Sequence, residues 1–478
     1  MKKLVYFLLP FLFSPLAYIT AQNHGDTLRQ EMRLDQVYQQ YNLSGQGVIV
    51  AFIERGIDYT HPDYIDDNGK TRIAYIYDMI DQTGASAPGN PYGIGTIYNR
   101  TQIDQALANN SPLGSTDRHG HGTACTSIAC GDGSGMPGAP FRGVAPKATI
   151  IAVKVTHDAF PARGNVPAQA GFYDPTYLPV ALDFVKDKSE ELGLPSVSLI
   201  NLGSIGGPTD GTSTIARAMA NFADTGRILV CSAGDDGGAD NRAMGQLDTV
   251  GTTDIRFKKV TLAGANLRID HWYHYQDHFE VTIITPNGTS YGPFMHTGGN
   301  FDRNNFGGAS QGFFGYFNGK DVDFDGAAND QKQMMIDFRG DSGTYTLRFR
   351  SLGTHFPFYT SVNPSRYSIQ NRFLDFVAQN RSICDFAAAE NIIVPNSYVL
   401  KNTWTDINGI SRARNGEGDP GELWVGSSAG PTRDGRLGID FSVPGEVNVG
   451  AYSPDTYYGT FPFCKLKTAT DCMAFKTR

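Results

Sequence analysis

The chain has 478 residues, with 48 acidic against 40 basic side chains, a formal net charge of -8 and a pI near 5.7. An acidic surface repels nucleic-acid phosphates and anionic headgroups, so charge disfavours both as partners and leaves proteins or peptides. Six cysteines (Cys125, Cys130, Cys231, Cys384, Cys464 and Cys472) include no CxxC pair, which argues against a disulfide scaffold or a zinc site, and no cofactor is expected. Cys125 and Cys231 stand in apolar contexts and read as buried thiols.

In chain order, residues 1–21 hold two lysines, a short apolar run and small residues, the pattern of a secretory signal peptide cleaved after Ala21. Nothing later is apolar for long enough to span a bilayer, so the mature chain is expected outside the cytoplasm without a membrane span. The run Val48–Ile53 in "GVIVAFIERG" predicts a strand covered on both faces that ends on Glu54. An acid at such a point is either a solvated strand end or a group working in the crevice where open parallel sheets place their ligands.

The run "TIIAVKV" (149–155) predicts another strand, and 174–192 a helix with Leu178, Ala181, Leu182 and Val185 on one face. The strand "SVSLINLG" follows, then a helix over 211–225 presenting Ile215, Ala218, Met219 and Phe222, then the strand "RILVCSAG" ending at Gly234. Alternating strand and helix means a parallel α/β sheet. From 252 the texture changes: "VTLAGANLRIDHWYHY", "HFEVTIITPNG" and "GTYTLRFRS" are short alternating runs separated by Gly and Asn turns, the mark of an antiparallel β-sandwich. The runs "NIIVPNSYV" and "LWVGSS" return the chain to the α/β body. The fold class is therefore an α/β parallel sheet flanked by helices with an inserted β-sandwich. Its expected divisions are 1–21 (signal peptide), 22–251 (body), 252–365 (insertion), 366–461 (body) and 462–478 (a divergent end).

Four strand-end stretches carry the chemistry: "ERGIDYTHPD" from Glu54, "RHGHGTACTSIACG" (118–131), "SAGDDGG" (232–238) and "GSSAGPTRDGRLGIDFSVPG" (426–445). In order and spacing they resemble the subtilisin-like serine proteases, the subtilases. The insertion is similar to the jelly-roll insertion of the clostridial spore-germination members. The resemblance places Glu54 at the family's triad aspartate, His121 at its histidine and Asp235 at the oxyanion-hole asparagine. Ser204, Ile205, Gly206 and Gly207, with Ser232, Ala233 and Gly234, fall where the family pairs its edge strands with substrate backbone. In such a triad the histidine takes the serine proton, the carboxylate holds the imidazole, and two donors meet the developing oxyanion. His119 reads as a surface residue. "DVDFDG" (Asp321, Asp323, Asp325) imitates the start of a calcium loop, but the twelfth position is Lys332 where a bidentate glutamate is wanted, so it reads as a polar turn.

The chain departs from the pattern in three places. Glu54 is one methylene longer than aspartate, displacing its carboxylate by roughly 1 Å. Asp235 places an acceptor where the oxyanion needs a donor, and losing one such donor costs about 3 kcal/mol. The nucleophile motif GTSxAxP occurs nowhere in the 478 residues. Ser428 in "GSSAGP" matches a structural turn, and Cys472 in "DCMAF" is a weak substitute nucleophile without a helix to position it. Little more than "LRQEMRLDQVYQQYNLSGQG" precedes the first strand, too short for a usual propeptide. The match fails abruptly at Pro462, as in a truncated or frameshifted product, and loss of the sheet-covering nucleophile helix should leave the core partly exposed. Two functions follow: a secreted serine endopeptidase by lineage, incomplete as written, or a non-catalytic homologue that binds peptides or proteins.

Overall fold

The strand β1 (Ile49–Glu54) divides its side chains between two cores, Ile49, Ala51 and Ile53 on one side of the sheet and Phe52 on the other. A period of two with both faces apolar is what a strand inside a parallel α/β sheet requires. The structure is a computed structural model describing residues 24–135, 141–157, 160, 162–169, 172–203, 206–260, 267–295, 301–306, 313–318, 330–338, 340–353, 355–363, 371–378, 380–406, 408–461 and 472–476. Of 24–26, 172–173, 301–306, 313–318, 338 and 472–476 it describes the backbone. The expected signal peptide, Ser204, Ile205, and the turn with Asp321, Asp323 and Asp325 lie outside the described residues.

Around β1 are β2 (Ile73–Asp78), β3 (Thr96–Asn99), β4 (Thr149–Lys154), β7 (Ser196–Ile200) and β8 (Arg227–Cys231), while β5 (Thr156–His157) and β6 (Phe172–Tyr173) form a small separate ribbon. The sheet order is β3-β2-β4-β1-β7-β8, parallel except for the β2–β3 pair. Register sets Ile53 beside Val153 and Ile200, and Ile200 beside Cys231, so the residues after β1, β7 and β8 stand in a row along the carboxyl edge.

Helices cover both faces. The expected helix over 174–192 is α5 (Tyr177–Leu192), with Leu178, Ala181, Leu182 and Val185 buried on the Ile53 side. Gly193, at φ 63, ends it. The helix expected over 211–225 is α6 (Thr214–Phe222), capped by Ser213, whose Oγ accepts from the Ala216 N–H at 3.2 Å. That cap turns Ala216, Met219 and Phe222 inward and leaves Ile215 and Ala218 half-buried. On the opposite face α3 (Arg100–Asn109) packs Ile103 and Ala106 with Phe52, beside α4 (His121–Cys130). Among the described residues no helix is long and apolar enough to cross a membrane.

The insertion is two antiparallel sheets. One runs β13 (Ser290–Phe294), β12 (Phe279–Ile284), β17 (Gly343–Ser351), β10 (Thr252–Lys259), β19 (Arg372–Phe373). The other runs β14 (Phe301–Phe306), β15 (Phe313–Asn318), β16 (Gln331–Phe338), β11 (Leu267–His274), β18 (Pro357–Asn363), β9 (Arg242–Gln246). Alternate residues such as Ile255, Phe257, Leu267, Ile269, Leu347 and Phe349 share one core. Outward-facing Arg348 and Arg350 pair across strands with Asp254 and Glu280, each at 2.7 Å. Both β9 and β19 lie outside the expected bounds of 252–365. Neither has an alternating apolar run of its own, and only pairing with β18 and β10 makes them strands.

The chain then rejoins the body. Ile393 bridges Val230 beside β8, and β20 (Pro395–Val399) runs parallel to β23 (Phe441–Ala451). β24 (Cys472–Lys476) pairs antiparallel with β23, so part of the expected divergent end is a strand of the body; β21 (Thr403–Thr405) and β22 (Ser411–Ala413) form a hairpin. The N-terminal helix α1 (His24–Glu31) packs on β23 and α2 (Leu34–Tyr41) packs against α1, burying Leu28 and Leu34. Tyr398 Oη donates to Glu31 Oε1 at 2.7 Å, and Tyr38 Oη to the Val144 carbonyl at 2.6 Å. A cavity of about 220 Å³ remains there, lined by Leu28, Met32, Ile128, Ala233, Trp424 and Val443.

The strand pairing predicts where the insertion can be cut. A fragment of residues 241–378 should unfold cooperatively in urea, with a steeper transition than a fragment of 252–365, which lacks both outer strands. Equal steepness would show that β9 and β19 belong energetically to the body.

Candidate active site

The site is assembled by a close approach between two glycines. A Cβ on Gly122, the second residue of α4, would lie 2.0 Å from the Gly56 carbonyl oxygen, so the helix can sit against the turn after β1 only without a side chain there. Gly120, at φ 97, lets the chain enter the helix in the left-handed region. The loop before it is gathered by buried Asp117, whose carboxylate accepts from the N–H groups of His119 (3.1 Å), Gly120 (2.7 Å) and Thr123 (2.9 Å) and from the Thr123 hydroxyl (2.7 Å). The Asp58 N–H in turn donates to Thr123 Oγ1 at 2.9 Å, tying the loop to the turn after β1.

These constraints bring Glu54 and His121 together, both buried, with Glu54 Oε1 2.9 Å from His121 Nδ1. That is hydrogen-bond distance, although Oε1 makes no bond of good geometry. Oε2 accepts from the Arg55 N–H at 2.8 Å. Burial alone would raise the Glu54 pKa, but the charge of His121 and the neighbouring Arg55 outweigh it and hold the carboxyl below its ordinary value. Burial likewise disfavours the imidazolium, yet Cys125 and Glu54 outweigh it and hold the His121 pKa well above that of a free histidine. Cys125, one helical turn on, places Sγ 3.7 Å from Nδ1 and accepts from Asn201 Nδ2 at 3.4 Å.

His119 is buried, contrary to its expected exposure. Its ring packs against Tyr458 with centroids 4.7 Å apart, against Tyr457 at 5.5 Å and against Phe160 at 6.1 Å. The cover comes from residues remote in sequence, which a local reading of "DRHGHG" does not contain.

The remaining expected site residues lie along the same carboxyl edge but are engaged internally. The Gly207 N–H donates to Asp270 Oδ2 of the insertion at 2.8 Å, and Asp270 is further held by Gln333 and Trp272. The Ala233 N–H donates to the Pro395 carbonyl (3.0 Å), while the Ala233 and Gly234 carbonyls accept from the N–H groups of Cys384 (2.8 Å) and Ser428 (3.1 Å). These groups of Gly207, Ala233 and Gly234 are therefore engaged within the chain. Ser232 is half-buried, its carbonyl in contact with the sulfurs of Cys231 and Cys384, and a Cβ on Gly206 would meet Asp270 Oδ2 at 2.9 Å. Asp235 follows Gly234, half-exposed at the end of the row begun by Glu54. Ser428 is fully buried and its Oγ accepts from the Asp236 N–H at 3.0 Å. Cys472 opens the extended strand β24 opposite Ala451, a backbone unlike the helix start that a nucleophile of this kind needs. Asp117, Asn201, Asp270 and Asp385 were not singled out from sequence. Only Asp117 had a local signal, an acid just ahead of a helix start.

A buried carboxylate at the end of β1, facing the Nδ1 side of a histidine at the first position of α4, is two-thirds of a hydrolytic triad on a parallel α/β sheet. The sequence profile of the subtilase family matches residues 45–466, and the chain belongs to that family. It is 23% identical over 237 residues to the major intracellular serine protease of Bacillus subtilis (strain 168), covering 48% of this chain and 58% of that protein. It is 25% identical over 212 residues to the PII-type proteinase of Lacticaseibacillus paracasei, covering 44% of this chain and 10% of that one. The match thus spans 58% or less of the length of these curated relatives. The solved structure of the Clostridium perfringens CspB protease has the same fold, with a TM-score of 0.70 at 23% identity, covering 94% of this chain and 82% of that one.

One carboxylate near the glycine segment makes a pH prediction. Asp385 accepts from the Thr209 N–H at 2.7 Å and the Ser213 hydroxyl at 2.7 Å, and burial pushes its pKa up to about 7. The folded state therefore binds this proton more tightly than the unfolded chain, so its contribution to stability is best at low pH, falls as pH rises from about 4 to 7, and is constant above. Relative to wild type, Asp385→Asn should gain stability across that window, by on the order of 4 kcal/mol at most. Urea unfolding at pH 4 and pH 8 checks it; an unchanged difference would show that Asp385 is ionised in both states.

Proposed function

We propose that this subtilase is exported and keeps its cleft as a binding surface for extended peptide or protein segments, without performing serine-type hydrolysis. The observation that carries the reading is the chain after β23, where the resemblance would lead into the nucleophile segment. There the N–H groups of Tyr457 and Tyr458 donate to the Arg118 and His119 carbonyls, and the Tyr458 ring lies 6.3 Å from the His121 ring. Aromatic rings, and no hydroxyl of a GTSxAxP motif, face the histidine within the described residues. In subtilisin, a member of the same family, removing the nucleophile alone lowers kcat by about 10⁶-fold. Asp235 adds to the deficit by presenting an acceptor to the oxyanion position.

The assembled Glu54–His121 contact favours the opposing reading, a serine endopeptidase by lineage. A fluorophosphonate probe, which reports activated serines, distinguishes the two. The purified chain should stay unlabelled while binding unstructured peptides in fluorescence anisotropy and returning them uncleaved. Labelling that disappears in His121→Ala would overturn the proposal, because it requires a serine activated by that histidine.

A further inference from the structure

Three side chains of different donor chemistry converge beneath the carboxyl edge of the sheet: the Glu54 carboxylate, the His121 imidazole and the Cys125 thiol. All three are buried, and their ligand atoms lie within 4.8 Å of one another. We propose that they form a binding site for one divalent transition-metal ion of the zinc type.

Several observations support the site. Glu54 Oε1 is buried, makes no hydrogen bond of good geometry, and lies 2.9 Å from His121 Nδ1 and within 4.8 Å of Cys125 Sγ. Leaving a carboxylate oxygen there unsatisfied is costly, and a cation would satisfy it. The Oε1 to Nδ1 and Sγ to Nδ1 separations are 2.9 and 3.7 Å. Ligand atoms about 2.0–2.3 Å from a tetrahedral zinc stand roughly 3.3–3.6 Å apart, so side-chain rotations of about 1 Å complete the geometry. Asn201 Nδ2, donating to Cys125 Sγ at 3.4 Å, supplies the outer contact that orients a thiolate ligand.

The site also joins two features that otherwise stand apart. Glu54 is long for orienting a histidine, yet its extra methylene carries the carboxylate toward the sulfur one helical turn beyond His121. The i, i+4 spacing of His121 and Cys125 puts both ligands on one face of α4. No cysteine motif announces the site because its ligands come from two elements far apart in sequence. Thiolate with imidazole selects zinc-type ions over magnesium or calcium. Binding releases the thiol proton and any proton on Nδ1, with no change of oxidation state. Three protein ligands leave a fourth position for water or a group of a bound peptide. The proposal rests on the non-hydrolytic reading, because an ion on Nδ1 takes the place of the Nδ1–H to carboxylate bond that a serine triad requires.

The test uses the full mature chain, stripped with a chelator and titrated with Co²⁺ and then with Zn²⁺. One equivalent of Co²⁺ should produce a near-ultraviolet thiolate-to-cobalt band that Zn²⁺ abolishes and Mg²⁺ or Ca²⁺ does not. Cys125→Ser, which preserves volume, should lose the band, and Glu54→Gln should weaken Zn²⁺ binding by about tenfold or more, while Cys130→Ser changes neither. Absence of the band in the wild type would overturn the proposal, whatever the variants do. A band that survives in Cys125→Ser would overturn it too, by placing the metal on another cysteine.

Discussion

The structure depends on how closely α4 can approach the turn after β1. Gly122 meets the Gly56 carbonyl with no room for a methyl group, and that approach sets His121 over the end of β1. Asp117 holds the approach from the other side, gathering three amides and one hydroxyl of the entering loop. The result is costly in isolation, a buried carboxylate against a buried imidazole. Groups of this kind stay buried only when the surrounding contacts over-determine them.

The parallel sheet was legible in the sequence because its central strands are apolar on both faces and its helices keep a regular period. Leu178, Ala181, Leu182 and Val185 could be placed on the buried face of α5 from spacing alone. Glu54 and His121 were legible because a strand end and a glycine-framed histidine are local signals. His119 was not, since the rings that bury it come from Phe160 and from residues 457–458. Strands β9 and β19 were invisible for a related reason: neither carries an alternating apolar run, and each is a strand only through its partner. The packing of α1 and α2 was hidden too, because short helices with few apolar residues gain their stability from what they pack on.

The insertion is joined to the body by more than its two chain crossings. Asp270 lies on β11, yet its carboxylate takes the Gly207 N–H of the glycine segment after β7, while Gln333 and Trp272 hold it from the insertion side. Asp385, where the chain returns, holds Thr209 and Ser213 in the same segment. The glycine-rich segment is thus clamped by two buried carboxylates, one from each side of the junction. A sandwich that reads in sequence as self-contained therefore also supports the glycine segment after β7.

The assembly of the site depends on the contact between α4 and the turn after β1, and the equilibrium urea unfolding of Gly122→Ala tests it most directly. Helix propensity alone favours alanine over glycine by about 1 kcal/mol, so an unconstrained site would be stabilised. The account predicts the opposite sign, a loss of about 3 kcal/mol or more, because the new methyl must displace backbone from backbone. Stability equal to or above that of the wild type would contradict it, and with it the claim that this approach assembles the site.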